Sequence, residues 1–281
     1  MTDHAIVDLL AAGGPAGPAT LGGLVTRLAA EGRLRGAVVD GRDTDVGALA
    51  GIEVSGVTND SRSITRGGLF VAVPGLHTDG HDHLDAASAR GAAAALVERP
   101  VEGSNLPQLT GVNTQTALAT AAAWWYGDPS HDLLTIGITG TDGKTTTSYL
   151  AVAALEAAGL RTGMLGTAGL RIGGVSEANP EHATTPDAPI LQRALRAMAL
   201  AGDVAAVVET TSHGLALERV GSVAYDAAVL TNVTHEHLEF HRTPEAYRAA
   251  KRLLFERLRA GPVNPDKGFG KEAVVNLDDP W

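Results

Sequence analysis

The run that most constrains this chain lies between residues 133 and 158, LLTIGITGTDGKTTTSYLAVAALEAA. An apolar strand pattern passes through a glycine loop directly into a helical pattern, and Gly159 then stops the helix. Glycines let successive backbone N–H groups converge on phosphate oxygens, and a helix N-terminus adds favourable partial charge. In such a loop Gly140, Thr141, Asp142, Gly143 and Thr146 line the phosphates of a nucleotide such as ATP. Lys144 pairs with the β- and γ-phosphates, and the Thr145 hydroxyl ligates Mg²⁺. The spacing departs from G-x-x-x-x-G-K-T, which needs a glycine where Ile138 stands; the glycines are Gly137 and Gly140 instead.

A strand–loop–helix unit of this kind belongs in a parallel sheet, and the downstream sequence repeats the rhythm. Further strands are expected at residues 164–167, 205–209 and 227–231. A long helix is expected from about 244 to 258, with Pro244 in its first turn, and AVVNLDD reads as one more strand. The fold class is α/β: a doubly wound, mostly parallel sheet whose ligands gather at the strand carboxyl ends. Glu209 closes an apolar run, Ala205, Ala206, Val207 and Val208, and so points into that crevice.

Upstream, Leu21, Leu24, Val25 and Leu28 recur at helical spacing. After a stretch rich in Gly and Asp (residues 40–51), GVTNDSRSI and GGLFVAVPG read as short strands, the second ended by Pro74-Gly75. A helix follows, with Gly91 as its stop, and then a strand at Ala94–Val97. This predicts a small α/β domain ending near residue 112. The helix TQTALATAAAWWYG breaks at Gly127-Asp128-Pro129, so the domains are expected to be 1–127, with a helical linker from about 113, and 128–281. A length of 281 residues suits two domains.

Composition removes other classes. A net charge of −10 argues against a surface built to neutralise nucleic acid or an anionic membrane. The absence of cysteine excludes disulfides, thiolate metal sites and a cysteine nucleophile. MTDHAIVDLL carries acids where a signal peptide needs bases, and no apolar run approaches a membrane span, so a cytoplasmic protein is expected.

Five blocks narrow the phosphate loop further: GITGTDGKTTT, ATTPD, VVETTSHGLALERV, LTNVTHEHLEFH and AYRAAKRLLF. In order and spacing they resemble the central domain of the Mur ligase family. GVTNDSRSITRGGLFVAVPGLHTDGHDH resembles the UDP-binding domain of the family's tripeptide-synthetase branch. The resemblance implies an ATP-dependent ligase that adds an amino acid to UDP-MurNAc-L-Ala-D-Glu through an acyl phosphate, in peptidoglycan-precursor synthesis. It implies Thr145 and Glu209 as ligands of one Mg²⁺, His237 as ligand of a second, and Lys251 as a carbamylated lysine that supplies an oxygen ligand. Asn59, Ser61, His77 and Thr78 would surround the uridine diphosphate. Thr184, Thr185, Thr211 and Arg219 would hold the pyrophosphate and MurNAc-peptide portion.

Alternatives remain at several residues. His235, His237 and His241 could form a zinc site, although a zincin helix needs histidine where Glu239 stands. His213 either faces the site or fixes its loop. Lys251 alone, on a helix with Arg248, Arg252 and Arg257, would read as a surface lysine. Asp142 departs from the family's usual Asn and brings a carboxylate towards an anionic ligand; Ala183 and Leu217 also depart. Competing functions are another Mur-type ligase, such as the tripeptide–dipeptide or folylpolyglutamate branch, a non-catalytic module binding UDP-MurNAc-peptides or nucleotide, and a plain phosphate-loop kinase. Because the sequence ends at AVVNLDDPW, without the family's C-terminal domain, it is expected to be inactive as a ligase alone.

Overall fold

The computed structural model describes residues 5–15, 19–75, 78–179, 183–234 and 236–279. It divides into two compact units, Pro15–Gly127 and Met1–Gly14 together with Asp128–Trp281. The boundary between Gly127 and Asp128 has a local cause. Gly127 ends the preceding helix in the left-handed region (φ 73°), Asp128 is also left-handed (φ 53°), and Pro129 cannot continue a helix. Helix α1 (Ala5–Ala12) departs from the sequence reading. It buries Ile6 and Leu10 in the core of the second unit, not in the domain that follows it in sequence.

In chain order the first unit contains β1 (Ala19–Thr20), α2 (Leu21–Ala30), β2 (Leu34–Val39), β3 (Arg42–Thr44), β4 (Glu53–Val54) and β5 (Val57–Thr58). There follow β6 (Leu69–Val71), α3 (Leu84–Ala89), β7 (Ala94–Val97), β8 (Gln108–Gly111) and α4 (Thr114–Tyr126). The main sheet has the order β3-β2-β8-β7-β6-β5, with β5 to β8 mutually parallel and the β2–β3 hairpin antiparallel at one edge. The helical spacing of Leu21, Leu24, Val25 and Leu28 puts all four in the buried face of α2. Phe70, Ala95 and Val97 pack with Leu84, Ala87, Ile64 and Leu106 to make a separate core.

The second unit continues with β9 (Leu134–Thr139), α5 (Lys144–Ala157), β10 (Thr162–Leu165), β11 (Leu170–Ile172), β12 (Val175–Glu177) and α6 (Ala188–Leu200). It ends with β13 (Ala205–Glu209), α7 (Ser212–Ala216), β14 (Ala227–Leu230), α8 (Leu238–His241), α9 (Pro244–Ala260) and β15 (Glu272–Val275). The sheet order is β12-β11-β10-β13-β9-β14-β15. Strands β10, β13, β9, β14 and β15 are parallel. The strand expected at 164–167 begins earlier, at Thr162, and the antiparallel pair β11–β12 follows through a Gly173-Gly174 turn in which both φ values are positive. Because β9, β13 and β14 are adjacent and parallel, their carboxyl ends bring residues 140–146, 209–213, 231–234 and 236–237 to one edge. Among the described residues, no helix is long and apolar enough to cross a membrane.

Candidate active site

At the end of β9 the chain turns through Gly140-Thr141-Asp142-Gly143 and enters α5 at Lys144. Gly143 is left-handed (φ 80°) and offers no side chain to cap the helix, so the first N–H groups of α5 keep no side-chain acceptor from it. At Gly140 (φ 155°) a Cβ would sit 1.8 Å from Thr231 Oγ1, which excludes any other residue without rearrangement.

The segment after β14 grips this loop. The Thr141 N–H donates to the Asn232 carbonyl (2.8 Å) and the Asp142 N–H to Asn232 Oδ1 (3.0 Å). Thr231 Oγ1 (2.6 Å) and Asn232 Nδ2 (3.1 Å) both donate to the Asp142 carbonyl. The buried Thr141 hydroxyl accepts the Thr234 N–H (2.8 Å) and shares a hydrogen bond with the Tyr247 hydroxyl (3.0 Å). Lys144 Nζ lies over the loop, donating to the carbonyls of Gly140 (2.9 Å) and Thr141 (2.8 Å). Burial pushes its pKa down, against the opposing pull of Glu209, Glu236 and Asp142.

Glu209 is fully buried at the end of β13. Its Oε2 accepts the hydroxyls of Thr145 (3.1 Å) and Thr167 (3.0 Å), while the buried Oε1 has no hydrogen-bond partner among the described residues. A Cβ at Gly166 would approach that Oε1 to 2.2 Å, so glycine makes the room beside it. An unpartnered buried carboxylate oxygen is costly, and a divalent cation is the group whose chemistry suits it. The donor set of Glu209 with the Thr145 hydroxyl, two hard oxygens beside a phosphate loop, therefore fits Mg²⁺.

Lys251 is 3% exposed, which removes the surface-lysine alternative. Its Nζ donates to the Gly140 carbonyl (2.7 Å), the same oxygen that receives Lys144, and lies 4.4 Å from the centre of the Tyr247 ring. Burial, reinforced by Lys144, pushes its pKa down to about 7. His237 sits elsewhere in this edge. It is left-handed (φ 56°) at the start of α8, with Nδ1 3.4 Å from Glu239 Oε1 and its ring edge-on to His213 at 4.7 Å. No hydrogen bond or ion pair joins His237 to Glu209 among the described residues. The four expected metal ligands thus fall into a joined pair, Thr145 and Glu209, with Lys251 on the loop carbonyl and His237 in a histidine cluster. Burial and the neighbouring His237 push the pKa of His213 down. For the zinc alternative, His235 lies outside the described residues.

Thr184, Thr185, Thr211 and Arg219 do come together. Thr185 Oγ1 donates to the Glu209 carbonyl (2.8 Å) and accepts both the N–H and the hydroxyl of Thr211 (3.0 Å each). Thr211 caps α7 by accepting the Gly214 N–H (3.0 Å). Arg219 donates to the Thr185 carbonyl (2.8 Å) and pairs with Asp187 (2.9 Å). Thr185 is 2% exposed, so its side chain ties these segments together; Thr184, half-buried, bonds to Thr167 (2.8 Å).

In the first unit, Asn59 and Ser61 follow β5 and Thr78 follows β6, at the same carboxyl edge of parallel strands. His77 lies outside the described residues. Asp60 accepts the Arg62 backbone N–H (2.9 Å) and pairs with its guanidinium, which holds its carboxyl below the usual range. Asp79 pairs with Arg99 (2.5 Å) and with Nδ1 of the buried His81 (2.6 Å), whose Nε2 accepts the Glu98 N–H (2.9 Å). The sequence reading did not single out Thr167, Thr231, Asn232 or Tyr247. The last three stood inside the quoted blocks, but their partners lie roughly ninety or more residues away, beyond any local spacing.

Comparison with known proteins follows these two regions. Residues 138–281 match the Mur ligase middle domain, and residues 53–123 match the Mur ligase family catalytic domain. The chain is 47% identical over 237 residues to a UDP-N-acetylmuramyl-tripeptide synthetase of Roseiflexus sp., covering 81% of this chain and 46% of that protein. It is 46% identical over 232 residues to the synthetase of the same name from Deinococcus radiodurans, covering 82% and 45%. Among solved structures, a UDP-N-acetylmuramoyl-L-alanyl-D-glutamate–2,6-diaminopimelate ligase superposes with a TM-score of 0.67 at 29% identity, over 83% of this chain and 45% of that one. MurF from Acinetobacter baumannii shares the fold at a TM-score of 0.60 and 20% identity, over 95% and 50%. The chain spans about half the length of the curated relatives it matches.

Proposed function

The chain belongs to the Mur ligase family, and on that premise we propose that it serves the ATP-dependent addition of an amino acid to UDP-MurNAc-L-Ala-D-Glu in cytoplasmic peptidoglycan-precursor synthesis. The observation that carries this reading is Glu209: a fully buried carboxylate with one oxygen unpartnered among the described residues, bonded through the other to the Thr145 hydroxyl beside the phosphate loop. In the reaction a substrate carboxylate oxygen attacks the γ-phosphorus, ADP leaves, and the resulting acyl phosphate yields an amide and phosphate when an amine attacks its carbonyl. Both partners of the first step are anions, so the site needs fixed positive charge more than proton transfer. Lys144 and the α5 N-terminus supply it, with Lys144 exchanging its loop carbonyls for phosphate oxygens. Mg²⁺ held by Thr145 and Glu209, with His237 and a carbamylated Lys251 at a second position, would screen the charge of the phosphates. The depressed pKa of Lys251 supports the carbamate, because only a neutral amine adds to carbon dioxide. Asn59, Ser61, His77 and Thr78 are the proposed contacts of the uridine diphosphate, and Thr184, Thr211 and Arg219 those of the sugar-peptide.

Calorimetry of ATP with and without Mg²⁺ tests the reading. Magnesium is expected to tighten ATP binding to the wild-type chain, and Glu209→Gln is expected to abolish that increment while leaving metal-free binding in place. An increment of unchanged size in Glu209→Gln would overturn the assignment. Binding of UDP-MurNAc-L-Ala-D-Glu, followed in parallel, is expected to exceed that of UMP; equal affinity for both would remove the sugar-peptide from the proposal.

A further inference from the structure

One cluster at the strand ends brings together nitrogen ligands that the phosphate loop itself does not touch. His213 and His237 meet edge-on, their rings 4.7 Å apart at 86°, and one ligand atom from each, with one from Glu239, all lie within 4.8 Å of one another. His237 is flanked by carboxylates on both nitrogens, Glu239 Oε1 at 3.4 Å from Nδ1 and Glu236 Oε2 at 3.8 Å from Nε2. The position of His213 is built into the fold. His213 stands in the first turn of α7, which Thr211 caps, and its ring lies 4.2 Å from Phe240 and 5.4 Å from His241. His241 supplies a second observation: it is 8% exposed, and its buried Nε2 has no hydrogen-bond partner among the described residues.

Two imidazoles and a carboxylate are the donor set of tetrahedral zinc sites, whereas Mg²⁺ selects oxygen. Nitrogen ligands favour the later first-row ions over magnesium by a wide margin. We propose that His213, His237 and Glu239 bind a borderline divalent transition ion, of the Zn²⁺ or Co²⁺ kind, in a site whose ligand set differs from that of Thr145 and Glu209. The cluster itself requires neither nucleotide nor the ligase reading. It shares His237 with the proposed second magnesium position, so a transition ion held here withdraws that imidazole and opposes magnesium-dependent nucleotide binding.

Cobalt is the probe, because Co²⁺ in a low-coordinate nitrogen site absorbs visible light far more strongly than octahedral Co²⁺ on oxygen. Metal-free, untagged chain titrated with Co²⁺ is expected to develop the intense bands at one equivalent and to keep them in a large excess of Mg²⁺. His213→Gln is expected to weaken Co²⁺ binding on the order of tenfold or more and to lose the intense bands. Glu239→Gln changes a side chain that is 76% exposed, so it reports ligation without disturbing packing and is expected to act in the same direction. Absence of the intense bands in the wild type, their displacement by Mg²⁺, or their survival in both variants would each overturn the site.

Discussion

Both units set short loops at the carboxyl ends of parallel strands, yet they hold those loops in different ways. In the second unit the charged groups are out of water: Glu209 is fully buried and Lys251 is 3% exposed. They are kept there by ties between distant segments, residues 140–142 to 231–234, Thr145 to Glu209 and Lys251 to Gly140. In the first unit the candidate loops are fastened largely from within, Asp60 to Arg62 and Ser63 and Asp79 to His81, and they stay reachable. Charges removed from water act more strongly on phosphate, but each must be held by partners that it cannot choose locally. One loop geometry thus carries buried charges tied to distant segments in the second unit, and reachable groups tied mostly to their own neighbours in the first.

The contrast can be broken most forcefully through the cores. Phe70→Ala empties the centre of the first unit's core and is expected to cost that unit about 3–5 kcal/mol while ATP affinity stays unchanged. Calorimetric unfolding beside ATP titration reads both, and a parallel fall in ATP affinity would show that the units are not separable. Lys144→Ala removes the point charge over the phosphate loop, and ATP binding is expected to weaken by about 2 kcal/mol or more, with UDP-sugar binding intact. An unmoved ATP isotherm would end the phosphate-loop assignment.

Smaller effects sharpen the same comparison. Arg99, and then the His81 N–H, hold the Asp79 carboxyl below the usual range. Its contribution is therefore present above the ordinary aspartate value of about 3.9 and lost as pH falls through the lower folded value. Asp79→Asn is expected to cost the first unit on the order of 0.5–1 kcal/mol at neutral pH, and the difference from wild type to vanish in strong acid. A difference that persisted there, in denaturant melts, would assign it to packing. Least of all, Asp142→Asn is expected to tighten ATP binding by a few tenths of a kcal/mol, and only at low salt, since the residue is exposed. An equal gain at high salt would mean that the carboxylate acts by contact and not through its field.

Local pattern made much of the second unit legible. Strand β13 lies where the apolar run before Glu209 placed it, and the strand–loop–helix passage at β9 and α5 is as the glycines require. Even the burial of Lys251 carried a trace. Tyr247, Ala250, Leu254 and Leu258 form the buried face of α9 at helical spacing, and Lys251 falls within that stripe. Other features had no local mark. Nothing near Thr231 announces that it fills the space a side chain at Gly140 would need, and nothing near Gly166 announces Glu209, forty-three residues on. The amphipathic face of α6 and the paired glycines of the Gly173-Gly174 turn are local signals that the sequence reading does not use. His213 was ambiguous in sequence because its neighbours, His237, Phe240 and His241, arrive from another element.

The placement of α1 bears on how the molecule is assembled in time. The Ile6 N–H meets Glu177 (3.2 Å), and Ile6 and Leu10 join a core made with Leu191, Leu195 and Ile172. The compact unit Pro15–Gly127 is thus threaded between the first helix of the other unit and the remainder of it. A ribosome releases α1 well before its binding surface exists, so this short helix must wait while the intervening residues emerge. If those residues condense first, the span that α1 must close is set by a folded body and no longer by a loose coil, and the entropic penalty of docking falls. This contact can form only late in synthesis, once both β12 and α6 have been laid down. Nascent chains whose emerged part ends before residue 177 should leave α1 open to protease, and chains whose emerged part extends past 200 should protect it.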